Sequence, residues 1–159
     1  MPARSRARRR ALEVLYAAEV TGRPLLEVWQ DEEAIDPRAR ANEYTGRLIG
    51  LVVADQARID ALIAAHALGW SVDRMPVVDR SILRLAVAEL LDEPGVPVGV
   101  AIDEAVELAS SLSTDDSPRF VNGVLAAIAG DLAVTGEPPV HRPAAGSAEQ
   151  ESSAADAQS

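Results

Sequence analysis

Apolar side chains recur along this chain at intervals of three and four residues, and almost never at intervals of two. An apolar stripe with that spacing falls on one face of an α-helix, whereas strict alternation is typical of a strand. Proline, glycine and helix-capping residues separate the stripes. The sequence therefore predicts an all-α protein of about seven helices.

The breaks between the stripes place the helices along the chain. They are predicted over about residues 4–20, a short segment after Pro24, about 41–67, 76–91, the segment from Pro97 to Leu112, and a last helix that begins near Pro118. The helix over 76–91 is apolar nearly all round, so we expect it at the centre of the fold. Glu89, one of its few charged residues, is predicted to pair with an arginine or to face a partner.

Composition narrows the class of protein. The 159 residues are 48% hydrophobic, enough for one domain over residues 1–136, while residues 137–159 have the composition of a disordered tail. The chain has no cysteine, which excludes disulfides, zinc fingers and thiol catalysis. Because it also has no long apolar run and no signal-peptide pattern, we expect a cytoplasmic protein that does not contact a membrane.

An enzyme is not expected. The only histidines are His66, on an apolar stripe, and His141, in the predicted tail, so no base is placed for a serine nucleophile. The carboxylates of Asp103, Glu104 and Glu107 have the spacing of a solvated helix face rather than of a metal site. No glycine-rich cofactor loop is present. We therefore predict no catalytic residue, no metal and no cofactor.

Charge is distributed unevenly. The net charge is −10, yet five of the fifteen arginines stand in the first ten residues: Arg4, Arg6, Arg8, Arg9 and Arg10. A positive segment on an acidic body favours local contact with a polyanion. At 100° per residue Arg6, Arg9 and Arg10 point away from the core, whereas Arg4 and Arg8 lie above the core side, within reach of a neighbouring helix.

A second candidate binding segment begins the last helix. Asp116 precedes Arg119 and Asn122, which are predicted to point outward beside Phe120. An arginine, an amide and an aromatic ring provide phosphate contact, base-edge hydrogen bonds and a stacking face, as single-stranded RNA recognition requires. The residues alone fit equally well a helix that Asp116 or Ser117 caps and in which Phe120 only packs.

Four segments resemble the NusB family of bacterial transcription antitermination factors. They are ARRRALEVLY at 7–16, DRSILRLAVAELL at 79–91, VPVGVAIDEAVEL at 96–108 and DSPRFVNGVL at 116–125. With their spacing they extend over nearly all of residues 3–135. The resemblance implies two perpendicular helical bundles, about residues 1–70 and 71–136.

The resemblance also implies an activity without covalent chemistry. Proteins of this family pair with NusE, a small-subunit ribosomal protein, and the pair binds boxA RNA, chiefly in leader transcripts of ribosomal RNA operons. The complex then assembles other Nus factors on RNA polymerase and suppresses termination. The residues matching RNA-facing positions are the five N-terminal arginines, Tyr16, Asp116, Arg119, Phe120 and Asn122. Asp79, Arg80 and Glu89 match the helix that faces NusE.

One other class of function, protein–protein interaction, stays open from the residues. The basic first helix is compatible with a helical adaptor, or with a homodimer that covers the RNA-binding face until a partner arrives. An RNA-modifying enzyme is disfavoured because no Rossmann-like segment follows the helical part. Helix-turn-helix DNA binding is disfavoured because the later helices are acidic or apolar.

Overall fold

The computed structural model describes residues 2–36 and 43–135. Within these ranges the chain forms six α-helices and one short 3-10 helix, Val72–Arg74. The α-helices are α1 Ala3–Thr21, α2 Leu25–Ile35, α3 Glu43–His66, α4 Val77–Asp92, α5 Val98–Leu112 and α6 Ser117–Thr135. The prediction of an all-α protein of about seven helices is confirmed for the described residues.

Proline and glycine set the ends of several helices. Proline immediately precedes α1, α2, α4 and α5, where its missing N–H and its fixed φ suit a helix start. Gly22 ends α1 with φ +66°, and the next residue, Arg23, donates its N–H to the Ala18 carbonyl at 3.1 Å. Gly69 takes φ +83° in the turn after α3. Most residues with a Cβ atom are strained in this left-handed conformation, whereas glycine adopts it readily, so both turns favour glycine.

Helix α4 is the centre of the fold, as its apolar pattern predicts. Every residue from Asp79 to Leu91 is buried, because α1, α3, α5 and α6 all pack against it. The buried apolar side chains of all six α-helices form one continuous cluster. The subdomain boundary at about residue 70 stays a prediction, since the core runs across it.

Helix α3 is bent at Asp55, where φ −134° and ψ 24° leave the helical region. At its C-terminal end, the ring of His66 lies with Nδ1 2.7 Å from the Leu62 carbonyl oxygen and Nε2 2.5 Å from Asp131 Oδ2 of α6. The hydrogen bond to Leu62, and then Asp131, raise the pKa of His66. His66 is therefore a paired polar group at the edge of the core, and it connects α3 to α6.

No helix in the described ranges is long and apolar enough to cross a membrane. The tail predicted over residues 137–159 lies outside the part of the chain that the structure describes.

Candidate nucleic-acid interface

Arg8 has a different environment from the other N-terminal arginines. Its side chain is buried, with Nε donating to Glu89 Oε1 at 2.7 Å and Nη2 donating to Glu89 Oε2 at 2.9 Å. Tyr44 adds a third hydrogen bond, its hydroxyl lying 2.9 Å from Glu89 Oε2. Burial alone would lower the pKa of Arg8, but the hydrogen bond and charge of Glu89 raise it. Arg8 is thus not presented to a phosphate, and we remove it from the candidate RNA contacts.

The remaining four arginines differ in what they already contact. Arg4 is exposed, with its guanidinium carbon 4.9 Å from the centre of the Tyr44 ring. Arg10 forms ion pairs with Glu32 at 2.7 Å and Glu13 at 3.3 Å. Arg6 is exposed and Arg9 half-buried. Because the structure shows Arg9 in no ion pair with a described residue, its charge is available on the outer face of α1.

Tyr16 lines a groove between three helices. Its side chain is 45% exposed, and it lines a largely apolar groove of about 330 Å³. The other lining residues are Leu12 and Glu13 of α1, Val78 of α4 and Leu112 of α5. The exposed ring of Tyr16 therefore stands next to the point where α5 ends and the turn toward α6 begins.

Asp79 holds that turn in place. Its Oδ1 accepts a hydrogen bond from Ser113 Oγ at 2.5 Å, and its Oδ2 accepts one from Ser117 Oγ at 3.0 Å. Ser113 follows α5 and Ser117 begins α6, so one buried carboxylate at the start of α4 ties both ends of the turn. Asp79 thereby fixes the turn over residues 114–116, which begins just after Leu112, the α5 residue that lines the Tyr16 groove.

The beginning of α6 presents the second candidate segment. Asp116, Arg119 and Asn122 are exposed, and Phe120 is half-buried. The Phe120 ring lies 6.5 Å from that of Trp70, centre to centre, at an angle of 58°. The helix therefore presents an arginine, an amide and a ring to solvent, as predicted, and the described residues provide no ion pair for Arg119.

None of the three residues predicted to face NusE is on the surface. Asp79 is bonded to the two serines, and Glu89 is paired with Arg8. Arg80 donates from Nη2 to Glu19 at 2.9 Å and from Nη1 to the Val72 carbonyl at 3.0 Å. Helical phasing places them on α4, but it does not show that neighbouring helices cover α4 on every side. We correct them from direct partner contacts to internal groups that connect helices.

Sequence reasoning did not single out Trp70. It is 50% exposed in the turn between α3 and the 3-10 helix, directly after Gly69. A signal was available, because a tryptophan in a glycine turn, outside every apolar stripe, has no predicted place in the core.

The site offers charges, amides and rings but no assembled catalytic group. No cluster of three or more His, Asp or Glu side chains that could hold a metal ion occurs in the described part of the chain. What the arrangement can do is bind, through ion pairs, hydrogen bonds and stacking.

Comparison with known proteins decides the family. The family model described as "NusB family" matches residues 5–130. The chain belongs to the NusB family. Two similar relatives carry the name transcription antitermination protein NusB. The relative from Saccharopolyspora erythraea is 51% identical over an alignment that covers 82% of this chain and 88% of the relative. The relative from a Nocardioides species is 48% identical over an alignment that covers 80% of this chain and 94% of the relative.

Solved structures of NusB proteins have the same fold. A structure of T. maritima NusB aligns with a TM-score of 0.71 at 35% identity, covering 82% of this chain and 92% of that chain. A NusB chain from the crystal structure of the antitermination factors NusB and NusE with double-stranded RNA aligns with a TM-score of 0.68 at 34% identity. The alignment covers 82% of this chain and 98% of that chain. The NusB-like fold class expected from the sequence is thereby confirmed, and the chain is assigned to transcription antitermination.

Proposed function

We propose that this NusB-family chain binds single-stranded boxA RNA together with NusE, and promotes processive transcription of ribosomal RNA operons. The family assignment supports a role in antitermination, and a related NusB has been crystallised with NusE and double-stranded RNA. The protein itself performs no covalent chemistry in this role. It acts by holding the transcript and NusE for the other Nus factors and RNA polymerase.

The observation that carries the proposal is the position of Tyr16 beside the turn that leads into α6. Its groove includes Leu112, and the next residue, Ser113, is bonded to Asp79 together with Ser117. Tyr16 of α1 and the end of α5 therefore border one groove. In the proposed complex the arginines of α1 hold one part of the RNA strand, and Arg119 with Asn122 of α6 hold another.

Each exposed group has a role that follows from its chemistry. Arg4, Arg6, Arg9 and Arg10 of α1 bind phosphates of the strand. Tyr16 and Phe120 stack on unpaired bases, and Asn122 hydrogen-bonds to a base edge. A base N–H donates to the carboxylate of Asp116, which repels phosphate and so limits binding to RNA that lacks this contact.

RNA binding with and without NusE tests the proposal. We expect a labelled boxA RNA to bind the chain alone weakly and much more tightly when NusE is present, with a scrambled RNA of equal length as the control. Equal binding of boxA and scrambled RNA would contradict the boxA assignment. No binding of either RNA, even with NusE, would contradict RNA binding as a whole.

A homodimer that covers α1 is the second candidate. The observation that favours it is the groove itself, where Tyr16 and Leu112 leave apolar surface exposed at 45% and 38%. Light scattering at rising protein concentration, with and without RNA, distinguishes a homodimer from a monomer in the free and the RNA-bound protein. A masking dimer must dissociate when RNA binds, whereas a dimer that persists on RNA with unchanged affinity would exclude masking.

A further inference from the structure

We propose that Trp70 forms, with Phe120, a two-ring stacking site for an unpaired RNA base. The inference rests on the proposed RNA-binding function and extends the RNA surface beyond α1 and α6, to the turn between α3 and α4. Nothing in the family resemblance assigns Trp70 to this surface.

The rings of Trp70 and Phe120 pack against each other while Trp70 stays partly open to solvent. Their centres are 6.5 Å apart and their planes are inclined by 58°, a tilted geometry that is common for aromatic pairs. Trp70 is half exposed although it is among the largest apolar side chains in the chain. Large aromatic side chains usually bury most of their surface in a folded protein, so the exposed half of Trp70 is apolar surface that the fold leaves uncovered.

The backbone holds Trp70 in this position. Gly69, with φ +83°, turns the chain directly after α3, and the Trp70 N–H donates to the Ala67 carbonyl at 3.1 Å. His66, the last residue of α3 and three residues before Gly69, is hydrogen-bonded to Asp131 of α6. The turn that carries Trp70 is thus attached to the same helix that carries Phe120, which fixes the two rings relative to each other.

Two guanidinium groups close to the rings in the sequence favour a nucleotide over an apolar protein segment. Arg119 directly precedes Phe120, and Arg74 follows Trp70 by four residues. Both are exposed, and the structure gives neither an ion pair within the described ranges. The nearby carboxylates of Asp73, Asp115 and Asp116 are exposed as well, so the segment is mixed in charge rather than uniformly basic. Guanidinium groups beside aromatic rings match a nucleotide, which has a phosphate and a base in adjacent positions.

Variants at position 70 test the inference. With the NusE complex and a boxA single strand, we expect Trp70→Ala to weaken RNA affinity about tenfold, the usual effect of losing one base–ring contact. Trp70→Phe keeps a ring and should lose much less. Leu68→Ala is the matched control, because Leu68 is 89% exposed in the same turn and offers no ring. Circular dichroism of each variant checks that it is folded.

Tryptophan fluorescence provides a second readout. The only other tryptophan, Trp29, is buried, so an emission change on adding RNA reports Trp70. Quenching in the natural chain that is absent in Trp70→Phe supports stacking. Annealing the RNA to its complement removes unpaired bases and should remove the affinity difference between the natural chain and Trp70→Ala.

The results separate this inference from the proposed function. If the natural chain binds boxA RNA and Trp70→Ala binds it equally well, the stacking site is overturned while RNA binding stands. If Trp70→Ala loses NusE binding in the absence of RNA but keeps its RNA affinity, the rings form a protein contact and the inference is overturned. Failure of the natural chain to bind RNA with NusE present would overturn both.

Discussion

Arg8 and Glu89, 81 positions apart in the sequence, form a two-pronged ion pair inside the protein, with N–O distances of 2.7 and 2.9 Å. The pair fixes the N-terminal half of α1 to α4. The exposed arginines on α1 therefore project from a helix that is attached to the core, so their spacing is set before any RNA arrives.

Removing Arg8 should destabilise the fold strongly. Arg8→Ala leaves Glu89 buried without its cation, and we expect a loss of about 3–5 kcal/mol in the free energy of unfolding. Replacing both residues, with Arg8→Met and Glu89→Leu, should cost less because no charge is then left unpaired. Urea unfolding measures each variant, and Arg9→Ala, one residue along and outside the core, should change stability by less than about 0.5 kcal/mol. Equal small losses for Arg8→Ala and Arg9→Ala would contradict the burial of the pair.

Asp79 should affect RNA binding without contacting RNA. Asp79→Ala removes the acceptor shared by Ser113 and Ser117, and we expect it to cost about 1–3 kcal/mol of stability and to loosen the turn before α6. RNA affinity should fall because Arg119 and Phe120 then lose their fixed position relative to Tyr16. Asp79→Asn keeps one acceptor oxygen and should retain more of both properties. Affinity unchanged in a folded Asp79→Ala protein would show that the turn does not position the site.

His66 makes stability depend on pH. Its pKa is raised in the folded state, so the contact with Asp131 stabilises the protein fully below the ordinary histidine pKa of about 6.5, and this contribution is lost as pH rises through the folded pKa. Because Asp131 is largely exposed, we expect at most about 1 kcal/mol. The stability difference between the natural chain and Asp131→Asn, measured by urea unfolding, should be larger at pH 5.5 than at pH 9. A difference that grows with pH would contradict this assignment.

Salt dependence should identify the arginines that meet phosphates. For a single strand, each phosphate contact contributes about −0.7 to the slope of log affinity against log salt, so about four contacts predict a slope near −3. Arg9→Ala and Arg119→Ala should each weaken binding and make the slope less steep by about 0.7. Arg23→Ala is the control, since Arg23 lies at the α1–α2 turn and already pairs with Asp31 at 2.6 Å. A slope unchanged in Arg9→Ala would remove Arg9 from the RNA contacts.

The positions of the helices could be predicted from the sequence, because proline and glycine mark their ends and because the residues from 79 to 91 are apolar nearly all round. Pairing of Glu89 with an arginine was one of the two predictions made for it, beside contact with a partner, and the structure shows the pairing. Which arginine it is could not be predicted, since that choice depends on how α1 lies across α4. Phasing placed Arg8 above the core side, and only the packed structure distinguishes a side chain that reaches outward from one that is enclosed.

Only part of the candidate site could be predicted, because the phasing of one helix does not show how the helices pack against each other. The exposure of Arg119 and Asn122 follows from one helix, so local phasing is sufficient. The roles of Asp79, Arg80 and Glu89 depend on three or more helices meeting, and the helix that carries them has no free face. Trp70 was missed because its exposure comes from a glycine turn, for which helical periodicity gives no information.

The enclosure of α4 has a consequence for the motions of the molecule. Backbone amides in its middle turns are bonded within a helix that water does not reach, so their hydrogens can exchange with deuterium only when the whole fold opens. These amides should be the slowest to exchange in the chain, and their rate should give its global stability directly. Binding at the surface of α1 and α6 should slow exchange there, and it should slow the amides of α4 only as far as the ligand stabilises the entire fold.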